Sequence, residues 1–285
     1  MKFDYKLNGI DFVSINEETL INIHQGGVSC YYPWKDIPAP KKIKYVMMDL
    51  DGTSVISEEF WVYLIEKTTA RMLNKEDFRL SKDDAPFVSG FSTEEHLSYT
   101  KKKYGYKGSV LEALNLYHQL ANEELSLIME GKGKRDAFAP RKGLKEFLLA
   151  LKEKEIKIGL ATSGLNYKAL PEIVAAFKEL NLGSPLDFYD SIITGGERKI
   201  KGKIGTIGEL AAKPHPWIYE ELALGLGVKD KREAIVIEDS SAGVISAKSA
   251  LFSVIGFKDG NIYKAKLDKD CYKMVDSFEE IIALL

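Results

Sequence analysis

Two carboxylates one residue apart, Asp49 and Asp51, close the apolar run that begins YVMMDLDGT at Tyr45. An apolar run of that length is a short buried strand, so both acids fall at its carboxyl end in partly desolvated ground. Acids so placed need a cation beside them, or one must keep its proton. Gly52 lets the backbone turn sharply after the second acid. The same residues also suit an Asx-type turn with no chemistry attached. What separates the two readings is whether hydroxyl and cationic partners follow at other strand ends. Three clusters do follow: Thr162 with Ser163 after IKIGLA, Lys213 in AAKPHPWIY, and Glu238 with Asp239 in VIEDSSAG. Each has an ordinary alternative as a turn, a helix cap, an exposed lysine or a capping acid pair. Their joint occurrence in this order points to one site.

The elements that must position these groups follow from hydrophobic period. After Pro140, Leu144, Phe147, Leu148 and Leu151 make a helical stripe. Strands are expected at 156–161, 191–194, 234–237 and 252–256, the last closing the core, with helices at 217–224 and about 243–250. Alternating strands and helices mean a parallel, doubly wound α/β sheet, in which ligands sit at the carboxyl ends of the strands. Residues 57–140 are helical in pattern. Phe60, Leu64, Ile65 and Met72 form one stripe, and Leu111, Leu114, Ala121, Leu125 and Ile128 another. That segment is expected to be a helical bundle inserted over the first motif. Residues 1–40 carry short apolar pieces broken by Asn8-Gly9 and Gly26-Gly27, which suggests two or three short strands packed on a sheet edge. Tyr31, Tyr32 and Trp34 there are candidates to wall a substrate site. The expected organisation is an N-terminal extension (1–40), an α/β core (41–56 and 141–285) and a helical insertion (57–140).

Apolar content of 45% and charged content of 29% are ordinary globular values, and a net charge of −2 argues against a nucleic-acid partner held by bulk electrostatics. Two cysteines, Cys30 and Cys271, suggest no disulfide framework. No apolar run approaches a membrane span and the N-terminus lacks a signal-peptide core, so a soluble, cytoplasmic protein without a membrane partner is expected.

The four clusters resemble the motifs of the haloacid dehalogenase-like hydrolase superfamily, in its branch with a helical cap inserted after the first motif. The resemblance spans about residues 43–285. It is carried by DLDGT (Asp49–Thr53), Thr162, KPHPWIY (Lys213–Tyr219) and EDSSAG (Glu238–Gly243), with weaker matches at Ser57-Glu58, Pro140 and Gly143. It implies that Asp49 is a nucleophile forming an aspartyl phosphate and that Asp51 is a general acid and base. Thr162 would bind a phosphoryl oxygen and Lys213 would balance charge. Asp49, the Asp51 carbonyl and Asp239 would hold Mg²⁺, with Glu238 a further ligand or an acceptor behind it. Thr53, Ser163, Gly164, Ser92 and Thr93 are the substrate-binding candidates, with His96 and His215 possible neighbours. The substrate would be a small phosphorylated metabolite.

Departures from the family pattern sharpen this reading. Asp51 argues for phosphorus chemistry over carbon–halogen cleavage, since the dehalogenases lack that acid. Phe91, Ser92 and Thr93 stand where phosphonate-cleaving relatives carry a lysine, and Trp61 stands where sugar phosphomutases place a histidine. Ile56, Ala212 and Leu251 replace an acid and two glycines of the family. The approach to Lys213 is unusually long, and Arg198, Lys199, Lys201 and Lys203 make it either a basic flap or a solvated loop. A Mg²⁺-dependent phosphatase is the leading expectation; a sugar phosphomutase or a non-catalytic binding protein are the alternatives.

Overall fold

The computed structural model describes residues 10–15, 18–24, 29–87, 93–134, 137–196, 204–206 and 210–285. The chain divides into two compact units, one of Met1–Val55 with Pro140–Leu285 and one of Ile56–Ala139.

In the first unit, β1 (Ile10–Ile15), β2 (Glu18–Ile23) and β3 (Cys30–Pro33) form an antiparallel sheet of their own. β4 (Tyr45–Asp49) then enters the main sheet. Two-residue strands, β5 (Val55–Ile56) and β6 (Ala139–Pro140), stand where the chain passes between the units. The second unit comprises α1 (Glu58–Met72), a 3₁₀ turn at Lys82–Phe87, α2 (Thr93–Tyr104) and α3 (Val110–Met129). The chain returns through α4 (Leu144–Glu153), β7 (Lys157–Thr162), α5 (Asn166–Leu180), α6 (Pro185–Phe188), β8 (Ser191–Thr194) and β9 (Ile204–Thr206). It ends with α7 (Trp217–Leu226), β10 (Ala234–Glu238), α8 (Ser241–Ser249), β11 (Ser253–Phe257), β12 (Lys273–Val275) and α9 (Phe278–Ile282).

The main sheet has the order β12-β11-β10-β4-β7-β8-β9 and every pairing in it is parallel. Its inner strands are buried along almost their whole length, as a sheet covered on both faces requires. Met47, Val236 and Val254 lie in one cluster with Tyr219, Leu222, Val244 and Ile245 of α7 and α8. The alternate residues Val46 and Met48 point to the opposite face by the two-residue strand period. The helical stripe on α4 is as expected, with Leu144, Phe147, Leu148 and Leu151 all buried.

Three expectations need correction. β12 extends the sheet beyond β11, so 252–256 is not its last strand, and β9 adds a parallel edge strand inside the long approach to Lys213. Arg198, Lys199, Lys201 and Lys203 themselves lie outside the described residues. The N-terminal sheet does not line a sheet edge. Ile10, Ile21, Ile23 and Trp34 share the buried cluster of α7 and α8, and the Lys248 ammonium of α8 lies 4.6 Å from the Trp34 ring centre. On α3 the inward stripe is Ala113, Tyr117, Leu120, Ala121, Glu124 and Leu125, while Leu111 is exposed. A glutamate sits in that stripe because Tyr63 and Lys67 satisfy it: Tyr63 donates to Glu124 Oε1 over 3.2 Å and Lys67 forms an ion pair with it. Apolar period alone passes over such a position.

The helical unit has a second buried acid. Asp84 is fully buried and accepts from Ser81 N (2.7 Å), Ser81 Oγ (3.0 Å), Tyr99 Oη (2.7 Å), Lys103 Nζ (2.6 Å) and Tyr104 Oη. Burial opposes the charged carboxyl, but the bonds from Lys103, Tyr104 and Tyr99 outweigh it and hold the group below the usual carboxylate range. Asp84→Ala should destabilise the protein by about 2–4 kcal/mol, the scale of charge-assisted hydrogen bonds lost from a buried site. With the folded value depressed, that contribution is present above about pH 4 and is lost as pH falls toward the folded value. Urea melts of both proteins at pH 7 and at pH 3.5 measure it. Equal stability at pH 7 would show the network to be dispensable.

Candidate active site

The sheet order makes the site. β4 is central, with β7 on one side and β10 on the other, so Asp49, Thr162 and Glu238 stand on three adjacent strand tips. The register pairs Asp49 with Ala161, one residue before Thr162, and Ile237 with Met48, one residue before Glu238. Lys213 comes from the loop before α7, where its side chain is only 5% exposed.

The Lys213 ammonium joins Asp49 Oδ1 and lies 2.7 Å from Glu238 Oε1. A third acid, Asp239, completes a cluster whose ligand atoms all lie within 4.8 Å of one another. Burial raises the Asp49 carboxyl well above the ordinary aspartate value. Glu238, Asp239 and Asp51 add to the rise and Lys213 opposes it. Asp239 is pushed up to about 7, first by burial and then by Glu238. Burial alone would lower Lys213, but Asp49 and Glu238 more than compensate and hold it above an ordinary lysine. One ammonium does not balance three clustered carboxylates, two of them buried and the third half-buried. The donor set is all oxygen and the charge deficit is positive, so the cluster suits a hard divalent cation such as Mg²⁺.

Two glycines create the space. Gly52 has φ +84°, and a Cβ there would fall 2.4 Å from Asp239 Oδ2. A Cβ on Gly243 would fall 1.8 Å from the Glu238 carboxyl carbon. Ser240 caps α8 by accepting from Gly243 N, and its hydroxyl donates to Glu238 Oε2 at 3.0 Å. One serine thus starts the helix and fixes the acid.

The structure places the remaining candidates as follows. Asp51 is exposed, and its Oδ2 accepts from Thr162 Oγ1 at 3.1 Å. Gly164 N donates to the same Thr162 oxygen at 2.9 Å. Ser163 Oγ accepts from Lys213 N at 3.2 Å, which ties the lysine loop to the tip of β7. Thr53 is fully buried and donates to Asp239 Oδ1 at 3.0 Å, so its hydroxyl orients that acid. Glu238 is also fully buried, with protein donors on both oxygens. Thr93 opens α2 in the helical unit and Ser92 lies outside the described residues. His96 is buried in the helical unit, where desolvation lowers its pKa against the pull of Glu95 and Glu58. His215 is fully buried, Tyr31 is exposed and Trp34 is buried.

Sequence reasoning missed Tyr219. Its hydroxyl donates to Glu238 Oε1 at 2.5 Å and its ring centre lies 5.1 Å from Lys213 Nζ. The only available signal was a hydroxyl in the first turn of the helix that follows the lysine. Ser54, whose Oγ donates to the Asp49 carbonyl at 2.6 Å, was also missed.

The sequence profile of the haloacid dehalogenase-like hydrolases matches residues 43–250, and the chain belongs to that family. No curated protein matches it. Among solved structures it is similar to a candidate β-phosphoglucomutase from Thermotoga maritima (22% identity, TM-score 0.61, covering 85% of this chain and 98% of that one). It is also similar to CbbY from Rhodobacter sphaeroides in complex with phosphate (20%, 0.59, 84% and 96%). A candidate phosphoglycolate phosphatase from Lactobacillus delbrueckii subsp. bulgaricus shares 16% identity (TM-score 0.60, 86% and 98%). At these identities the likeness speaks for the fold alone. Among the described residues no helix is long and apolar enough to cross a membrane.

The raised carboxyls give a test in protein stripped of divalent metal. Folded Asp239 keeps a proton that the unfolded chain has already released above about pH 4. Stability is therefore fullest below that value and declines as pH rises through about 7. Asp239→Asn should flatten the decline, and Mg²⁺ should raise the melting temperature more at pH 8 than at pH 6. Thermal melts in EDTA and in Mg²⁺ from pH 5.5 to 8.5 check both. A profile indifferent to metal and to the substitution would contradict the charge assignment.

Proposed function

We propose that the chain is a Mg²⁺-dependent phosphatase that hydrolyses a small phosphorylated metabolite through an aspartyl phosphate on Asp49. The observation that carries this is the pair of acids flanking β4's end in unlike settings: Asp49 buried against the Lys213 ammonium, Asp51 exposed and bonded to Thr162. The buried acid suits nucleophilic attack on phosphorus from a fixed position. The exposed one suits proton exchange, giving a proton to the leaving oxygen and later taking one from water.

Lys213 places positive charge beside the attacking carboxylate, where the transferring group brings more negative charge. Thr162 Oγ1, which donates to Asp51 at this strand tip, would exchange that bond for one to a phosphoryl oxygen, and Gly164 N, which donates to Thr162, would do the same. Asp49, Asp239 and the Asp51 carbonyl would hold Mg²⁺, which when bound supplies the positive charge the three carboxylates lack. Glu238, with both oxygens already accepting, serves this arrangement by anchoring Lys213.

A sugar phosphomutase is the nearest alternative within the family. Trp61, at the offset where mutases carry a histidine, has its ring 5.0 Å from Phe60 and 5.9 Å from Phe138. Its indole is neither an acid nor a base near neutral pH and cannot take a histidine's part in proton transfer, which supports hydrolysis. Asp49→Asn keeps the shape of the side chain and removes the nucleophile. Phosphate release from p-nitrophenyl phosphate should fall by about 10³-fold or more, with an unchanged circular dichroism spectrum. Activity within tenfold of the parent would show that Asp49 is not the attacking group.

A further inference from the structure

The N-terminal sheet packs on α7 and α8, yet one of its side chains reaches past them to the loop that carries Lys213. Tyr32 of β3 and His215 are hydrogen-bonded, Oη to Nδ1, at 2.8 Å. The His215 ring stacks on Trp217 at 4.7 Å with an interplanar angle of 7°, and Tyr32 meets both rings edge-on at 5.8 and 6.2 Å. His215 is fully buried, and its carbonyl accepts from Ser246 Oγ of α8 at 2.6 Å. Its own N–H closes a turn to the Ala212 carbonyl at 3.1 Å, and Lys213 lies inside that turn. The turn is thus held through its backbone by α8 and by Ser163, and through the His215 ring by the N-terminal sheet.

We propose that Tyr32 is a positioning residue for Lys213: by holding the His215 ring it fixes the 212–215 turn and so aims the ammonium between Asp49 and Glu238. This rests on the reading of Lys213 as the group that balances charge at Asp49. A lysine side chain has four rotatable bonds and is positioned well only if its backbone is fixed. Displacing an aligned group by about 1 Å costs on the order of 10²-fold in rate, so a partial loosening of the turn registers as a smaller loss. The sheet that supplies Tyr32 is built to stay in place, since Ile10, Ile21, Ile23 and Trp34 are buried in the cluster of α7 and α8. The extension thereby becomes part of the apparatus that presents the lysine.

Tyr32→Phe in the full chain with Mg²⁺ tests this, because it keeps the ring and removes only the hydroxyl. Ile23→Val, in the same buried cluster and paired across the sheet with Cys30 instead of Tyr32, controls for general loosening of the sheet. Two readouts are taken: kcat and KM for p-nitrophenyl phosphate, and acetylation of Lys213 relative to exposed Lys229, followed by peptide mass spectrometry. Tyr32→Phe should lower kcat by about 5–20-fold with KM within about twofold, and raise relative acetylation of Lys213 by about fivefold. Ile23→Val should leave both near the parent values. Unchanged acetylation and kcat in Tyr32→Phe, or an equal change in Ile23→Val, would overturn the proposal. If the parent protein releases no phosphate but Lys213 acetylation still rises in Tyr32→Phe alone, the positioning stands and the phosphatase reading falls.

Discussion

The structure depends on one ammonium shared by two buried acids. Lys213 bonds to Asp49 and to Glu238, with Asp239 close by, so the site holds more negative charge than its one cation can offset. Desolvation makes such an excess expensive, and the raised Asp49 and Asp239 carboxyls are its direct expression. A pocket built this way favours whatever brings positive charge to the acids. In the proposed function that is a divalent ion, and the same field then serves a phosphoryl group.

The fold supplies this charge arrangement cheaply. A parallel sheet points all its strand tips one way, and placing β4 between β7 and β10 brings three motifs distant in sequence to neighbouring tips. The support around them is mostly hydroxyl: Ser54 on the Asp49 carbonyl, Thr53 on Asp239, Thr162 on Asp51, and Ser240 and Tyr219 on Glu238. Each fixes an acid without adding charge. Gly52 and Gly243 contribute by having no side chain where Asp239 and Glu238 must lie.

Much of this could be read from the chain, because strand-end acids interrupt apolar runs and the interruption is visible. Asp49, Glu238 and Asp239 stand out on that basis and Lys213 only through its place in AAKPHPWIY among them, and the fold brings all four together. What escaped was set by tertiary contact. Tyr219 looks like any aromatic on a helix until Glu238 appears beside it. Glu124 is polar and was skipped in the α3 stripe, although Lys67 and Tyr63 make its burial tolerable. β9 and β12, three residues each, are too short to show a period. The N-terminal strands were legible as strands, but their seat on α7 and α8 depends on Trp34 and three isoleucines that any sheet face could hold.

The central claim is covalent chemistry at Asp49, and chemical trapping tests it most directly. Parent protein turning over p-nitrophenyl phosphate with Mg²⁺ is quenched with borohydride, which reduces an acyl phosphate to an alcohol, and its peptides are sequenced by mass spectrometry. The account predicts homoserine in place of Asp49, formed only when substrate is present. Homoserine at Asp51 instead, or no reduction anywhere while phosphate is being released, would contradict it.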